Sequence, residues 1–149
     1  MESTIAEMGL GTGAHRPKDK AELLKWIFEE MERVGDVKPL LDHLAEDAVW
    51  MVTIPDGTPL SGEFRGKQAV AAYFAALPGI AEFHQERPQE YISHGDKVII
   101  LGEDSFLVKK TGETFRSEYA LVTDFHAGLI TRMVVIQNLC GIAEAYREH

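Results

Sequence analysis

Apolar residues recur along this chain with two periods. Leu24, Ile27, Phe28, Met31 and Val34 fall at helical spacing, the signature of a helix with one buried stripe. Asp19 stands ahead of them as an N-cap with Glu22 three residues on, close to a capping box, and Gly35 ends the run. Asp36 caps a second, short helix through about Leu44, with Pro39 tolerated in its first turn. Residues 48–54 read as a strand and PDGTPLSG as a loop. Gly66 opens a third helix that carries Val70, Phe74 and Leu77 and stops at Pro78-Gly79. Beyond it the period becomes two: 81–93, 97–110, 113–125 and 129–138 are predicted strands, separated by HGD, TG and HAG turns. A short helix over 141–147 follows them. Residues 1–17 are Gly-rich and patternless, which predicts a flexible tail ahead of one domain over 18–149.

Helices that come first and a meander that follows define an α+β fold, with one curved, mainly antiparallel sheet covered on one face by three helices. A tight Thr111-Gly112 hairpin sets Asp104 opposite Tyr119, Phe106 opposite Ser117 and Gly102 opposite Leu121. A His126-Ala127-Gly128 connection sets Tyr119 opposite Val135, Leu121 opposite Met133 and Ser117 opposite Gln137. Side chains alternate faces along a strand. One face therefore carries Asp104, Phe106, Ser117, Tyr119, Leu121, Met133, Val135 and Gln137, joined by Trp50, Val52 and Ile54 from the first strand. The other carries Ile99, Leu101, Ala120, Val122, Val134 and Ile136, rimmed by Arg116, Glu118, Asp124 and Arg132. Six apolar residues on an outer face call for cover, and a homodimer packed through that face would supply it.

The 149 residues carry a net charge of −9, which argues against a nucleic-acid partner. The single cysteine, Cys140, allows no intrachain disulfide and reads as a small buried hydrophobe. No leader-like or membrane-length apolar run is present, so a cytoplasmic protein without a membrane partner is expected. HExxH, CxxC, EF-hand and P-loop patterns are absent; neither a metal nor a cofactor is expected.

The stretches LLDHLAEDAVW, PLSGEFRGKQAVAAYFAAL, KTGETFRSEYALV and HAGLITRM resemble the NTF2-like superfamily, in its SnoaL-like polyketide cyclase and ketosteroid isomerase-like branch. The resemblance covers roughly residues 19–147 and implies a cone-shaped fold enclosing an apolar pocket. Its members' catalytic sets are not intact here. The tyrosine, aspartate base and second acid of ketosteroid isomerases fall at Phe28, Val52 and Leu121. Of the trio and water-binding pair of limonene-type epoxide hydrolases, only an aspartate is matched, at Asp104; the other positions hold Gly102, Val135, Trp50 and Val52.

Within such a pocket Asp104 is the sharpest candidate, because an inward carboxyl among apolar neighbours has a raised pKa suited to proton transfer. Tyr119, opposite it, could donate to that carboxylate or polarise a substrate oxygen; the alternative is a buried pair that satisfies two polar groups. His84 shares a strand face with Glu82 and Glu86. It is a substitute base if that face is inward, and solvent-exposed if Phe83 takes the core. Ser117 and Gln137 could orient a substrate oxygen, while Phe28, Trp50, Val52, Ile54, Phe106, Leu121, Met133 and Val135 would form the apolar lining. The expected activity is cofactor-free acid–base chemistry of isomerase, lyase, dehydratase or cyclase type on a small hydrophobic cyclic or aromatic molecule. The alternatives are a non-catalytic hydrophobic-ligand binder and a dimeric interaction module whose cone is filled.

Overall fold

A computed structural model describes residues 19–54, 58–86 and 89–137. The expected tail, the helix over 141–147 and Cys140 lie outside them. Contacts divide the chain into two compact units, one ending at Leu40 and the other beginning at Leu41.

In the first unit, α1 (Lys20–Val34) begins and ends where its caps dictate. The Asp19 carboxylate accepts from the Glu22 N–H at 3.0 Å, satisfying one of the helix's orphan donors. Gly35 closes the helix with φ 69°, the left-handed conformation in which an L side chain is strained. Ala21, Leu23, Leu24 and Ile27 are buried. The next helix, α2 (Lys38–Leu41), is one turn long; Asp36 caps it by accepting from Lys38 N–H at 3.1 Å, but it ends before Leu44.

The remaining described residues include a mixed seven-stranded sheet, so the fold is α+β. Its strands are β1 (Leu44–Val52), β2 (Gly62–Arg65), β3 (Ala81–Gln85), β4 (Glu90–His94), β5 (Lys97–Val108), β6 (Glu113–His126) and β7 (Leu129–Gln137). They lie in the order β2-β1-β7-β6-β5-β3, with β4 also on β5, and the sheet is not closed. Between β2 and β3 runs α3 (Lys67–Ile80). No helix among the described residues is long and apolar enough to cross a membrane.

Several boundaries differ from the sequence expectation, each for a local reason. β1 starts at Leu44 rather than 48, because Leu44 pairs with Ile130 and a register shift before Val49 absorbs the exposed Glu46 and Asp47. The short β2 is not among the predicted elements, and the loop reading reaches only its first residue, Gly62; it exists through pairing with β1, Trp50 opposite Phe64 and Val52 opposite Gly62. α3 runs past Pro78 to Ile80, since the Ala81 N–H still bonds Leu77 O. The single strand expected over 81–93 is two strands, which share one edge of β5: β3 along 104–108 and β4 along 97–101.

Both hairpin registers are also corrected. Val108 pairs with Glu113, so residues 109–112 form the turn and Asp104 faces Ser117, Phe106 faces Phe115 and Gly102 faces Tyr119. At the next hairpin His126 pairs with Leu129, and an irregularity between Asp124 and Phe125 places Tyr119 opposite Gln137, Leu121 opposite Val135 and Thr123 opposite Met133. Each slip is two residues wide, so every side chain keeps its face.

The α3 face is identified by its aromatic packing. Trp50 meets Tyr73 and Phe74 with ring centroids 5.6 and 5.1 Å apart, and Phe64 meets Tyr73 at 4.8 Å. Val98, Ile100, Phe106, Val108, Leu121, Phe125, Ile130 and Met133 are buried on this face. Burial also pushes the Tyr73 phenol up to about 12.

Candidate functional site

Successive rows of side chains cross the α3 face from strand to strand. One row sets Trp50, Met133, Thr123 and Val98 side by side, and the next sets Val52, Val135, Leu121, Ile100 and Tyr91. Two polar rows follow: Gln137, Tyr119 and Gly102, then Ser117, Asp104 and Gln85. Beyond them the face is apolar again, with Phe115, Phe106 and Phe83 in register. Phe83 and Phe106 have ring centroids 5.1 Å apart. A polar band thus lies between two apolar ones, and the sheet register puts it there.

Asp104 is the acidic residue of this band. Gln137 Nε2 donates to its Oδ1 at 2.9 Å. Burial pushes the carboxyl up from its ordinary 3.8 to about 6; the Gln137 bond and a backbone bond pull it back, and the charge of Glu86 pushes it further up. A carboxyl at that value exchanges its proton near neutrality, as a general acid or base must.

Tyr119 is not the partner of Asp104. Its ring crosses Gly102, where a Cβ would stand 2.5 Å from the phenolic oxygen and 2.6 Å from Cζ. Glycine at 102 is therefore the condition for the ring to lie across β5. The phenol reaches the far side of that strand, where it donates to Gln85 Oε1 at 3.2 Å and accepts from Gln89 Nε2 at 2.5 Å. Tyr91 donates to Gln89 Oε1 at 3.2 Å, and Gln85 Nε2 donates to Glu103 O at 2.8 Å. These bonds form a chain with one donor direction, from Tyr91 through Gln89, Tyr119 and Gln85 to a main-chain carbonyl. Burial raises the Tyr119 pKa, the Gln89 bond lowers it and the Asp104 charge raises it.

His84 requires correction. It pairs with Ser105 while its neighbours Phe83 and Gln85 pair with Phe106 and Asp104, so it lies on the face away from Asp104. Its side chain is 66% exposed and approaches Glu82 at 3.6 Å. On that same side Glu86 accepts from Ser105 at 2.6 Å and from Arg116 at 2.8 Å; these partners hold its carboxyl below the usual range. Ser117 sits beside Asp104, but its hydroxyl donates to Glu118 O at 2.8 Å.

The apolar candidates divide by burial. Trp50, Val52, Ile54, Phe106, Leu121 and Met133 are buried, and the aromatic cluster with α3 makes Trp50 part of the packing rather than a free stacking wall. Val135 is half-buried, and so is Phe28 on α1. His94 and His126 are exposed, whereas His15 and His149 lie outside the described residues. Sequence reasoning missed Gln85, Gln89 and Tyr91. The first was accessible, because placing Phe83 in the core puts Gln85 on the same face; Gln89 precedes β4, where no strand period marks it. Among the described residues, no group of three or more His, Cys, Asp or Glu is arranged to hold a metal ion.

The SnoaL-like domain model matches residues 27–133, more than half of the chain, and this protein belongs to that family. Its fold is NTF2-like. An NTF2-like protein of Burkholderia xenovorans is 28% identical, with 84% of this chain and 93% of that one covered and a TM-score of 0.76. A candidate polyketide cyclase of Pseudomonas putida is 18% identical over 84% and 96% of the two chains, with a TM-score of 0.66. TerC, co-crystallised with polyporic acid, is 22% identical over 78% and 90%, with a TM-score of 0.64. No protein of curated function matches the sequence.

Proposed function

We propose that this protein is an acid–base enzyme of isomerase, lyase or cyclase type, acting through its own side chains on a small hydrophobic cyclic or aromatic molecule. One observation carries the reading: Asp104, raised to about 6, stands in a polar band between apolar rows. Asp104 is the proton-transfer group. Gln137 fixes its Oδ1 through an amide that gives up no proton, so exchange falls to the other carboxyl oxygen. Flat apolar surface beside a few placed polar groups suits a ring bearing an enolisable or hydroxylated carbon. Family membership and the candidate cyclase among its structural neighbours support the same class.

A second reading, a binding protein that returns its ligand unchanged, is favoured by the engagement of Tyr119. Its hydroxyl is spent on Gln85 and Gln89, which leaves Asp104 without a phenolic acid beside it. One experiment separates the two. A thermal-shift screen over polyketide-like, steroid and aromatic-dimer compounds, polyporic acid included, identifies ligands; each is then incubated with protein and recovered. Enzymatic action predicts a changed product and a loss of at least ~10²-fold in rate for Asp104→Asn, the usual worth of a general base. Ligand recovered unchanged, or full turnover by Asp104→Asn, refutes the catalytic assignment.

A further inference from the structure

Gln137 stands on β7 and Asp104 on β5, with β6 between them. The amide nonetheless meets the carboxyl at 2.9 Å, so the side chain reaches across β6. The Gln137 backbone is held as well: its N–H donates to Thr53 Oγ1 at 3.4 Å, which ties the end of β7 to the residue after β1. A carboxylate accepts and cannot donate. Asp104 therefore takes the amide's N–H, and among the described residues nothing donates to its carbonyl oxygen, Oε1. The neighbouring polar groups are engaged elsewhere, Tyr119 with Gln85 and Gln89 and Ser117 with Glu118 O. Gln137 and Asp104 are both half-buried. An acceptor drawn out of water without a donor costs free energy, and a ligand that brings a donor recovers it.

On the other side of Asp104 stands Phe83. Asp104 pairs with Gln85, which makes Phe83 its diagonal neighbour at about 7–8 Å. The Phe83 ring is 42% exposed and lies against the buried Phe106. The order across the sheet is thus a carbonyl acceptor, the carboxyl and an open aromatic surface. We propose that Gln137 is the specificity-determining residue of this site: its carbonyl oxygen accepts a hydroxyl of the ligand, and the site takes hydroxylated fused aromatic rings in preference to their ethers. The proposal rests on the reading of this face as the ligand site. A ring ether or ketone would set one acceptor against another, whereas a hydroxyl donates. An amide suits the task because one planar group supplies a donor to the carboxylate and an acceptor to the ligand. A ligand of naphthol size, with its hydroxyl at Oε1, covers Asp104 and brings its second ring towards Phe83.

Isothermal titration calorimetry of the full chain with β-naphthol and with its methyl ether tests this, and circular dichroism verifies folding. The wild type should bind the naphthol at least ~10-fold more tightly than the ether, the worth of one hydrogen bond. Gln137→Met keeps the length of the side chain and loses the acceptor, and it should bring the two affinities together; Gln137→Leu serves equally if that variant does not fold. Phe83→Ala should weaken both ligands and leave their ratio unchanged. A wild type that does not bind the naphthol, or binds it no better than the ether, overturns the assignment. So does a preference that survives the loss of the Gln137 amide. The catalytic reading fails separately: a naphthol bound with the expected preference and recovered unchanged counts against catalysis and supports the role of Gln137.

Discussion

Replacing Asp104 by asparagine should stabilise this protein at neutral pH and leave it unchanged in acid. The carboxyl rises from 3.8 to about 6 on folding because burial disfavours its charge. The folded chain therefore binds the proton more tightly than the unfolded chain does. Stability contributed by the protonated group is complete below 3.8 and is lost as pH climbs through about 6. At full weight that interval corresponds to about 3 kcal/mol. Asp104 is only half-buried, so screening by solvent reduces the expected loss to about 1–2 kcal/mol. Asparagine keeps the oxygen that accepts from Gln137 and carries no charge at any pH. Urea denaturation of both proteins at several pH values between 3.5 and 8 measures the difference directly. The two free energies should coincide at the acid end and diverge as pH rises, with the variant the more stable. A constant difference, or a variant that loses ground above pH 6, would refute a desolvated Asp104, and with it the physical basis for its proposed role in proton transfer.

Gly102→Ala should displace the Tyr119 ring, since its Cβ would enter the space that ring occupies; a cost of about 1–3 kcal/mol and a phenol titrating closer to 10 should appear in urea melts and ultraviolet pH titration. Thr123 Oγ1 is buried without a partner, so Thr123→Val should stabilise the fold by about 1 kcal/mol, read from the denaturation midpoint. Asp19→Ala removes the α1 cap and should cost about 1 kcal/mol by the same assay. Gln137→Met removes the bond that pulls the Asp104 carboxyl down, so the pH midpoint of Asp104 titration, followed by carboxyl-selective NMR, should move up.

The legible parts of the sequence were those governed by local rules. Asp19 and Gly35 bound α1 because capping needs only neighbouring residues. Face assignment along β5, β6 and β7 was legible too, because alternation survives any register error of even width. Pairing across strands was not, because the turn at 109–112 and the irregularity after Asp124 are set by backbone geometry that no side-chain pattern reports. β2 and the first half of β1 were hidden for related reasons: β2 is four residues long and exists through its pairing with β1, while Leu44 pairs with the distant Ile130 and Glu46 and Asp47 mask the strand period. His84 turned on the parity of β3, which pairing with β5 resolves and composition does not.

A slip of two residues is harmless to the core but decisive for chemistry. With Asp104 opposite Tyr119, carboxylate and phenol would have faced one another across the strand pair. The observed pairing separates them by one row and gives each a different kind of partner. Asp104 takes an amide donor, which supports the charged form without exchanging a proton. Tyr119 takes two glutamines, which hold the ring across Gly102 and make it a tie between β6 and the segments flanking β5. The division of labour follows from Gly102: a larger residue there would turn the phenol aside and end the tie. In the proposed reaction proton transfer thus falls to Asp104, and the Tyr119 phenol serves as the tie across Gly102.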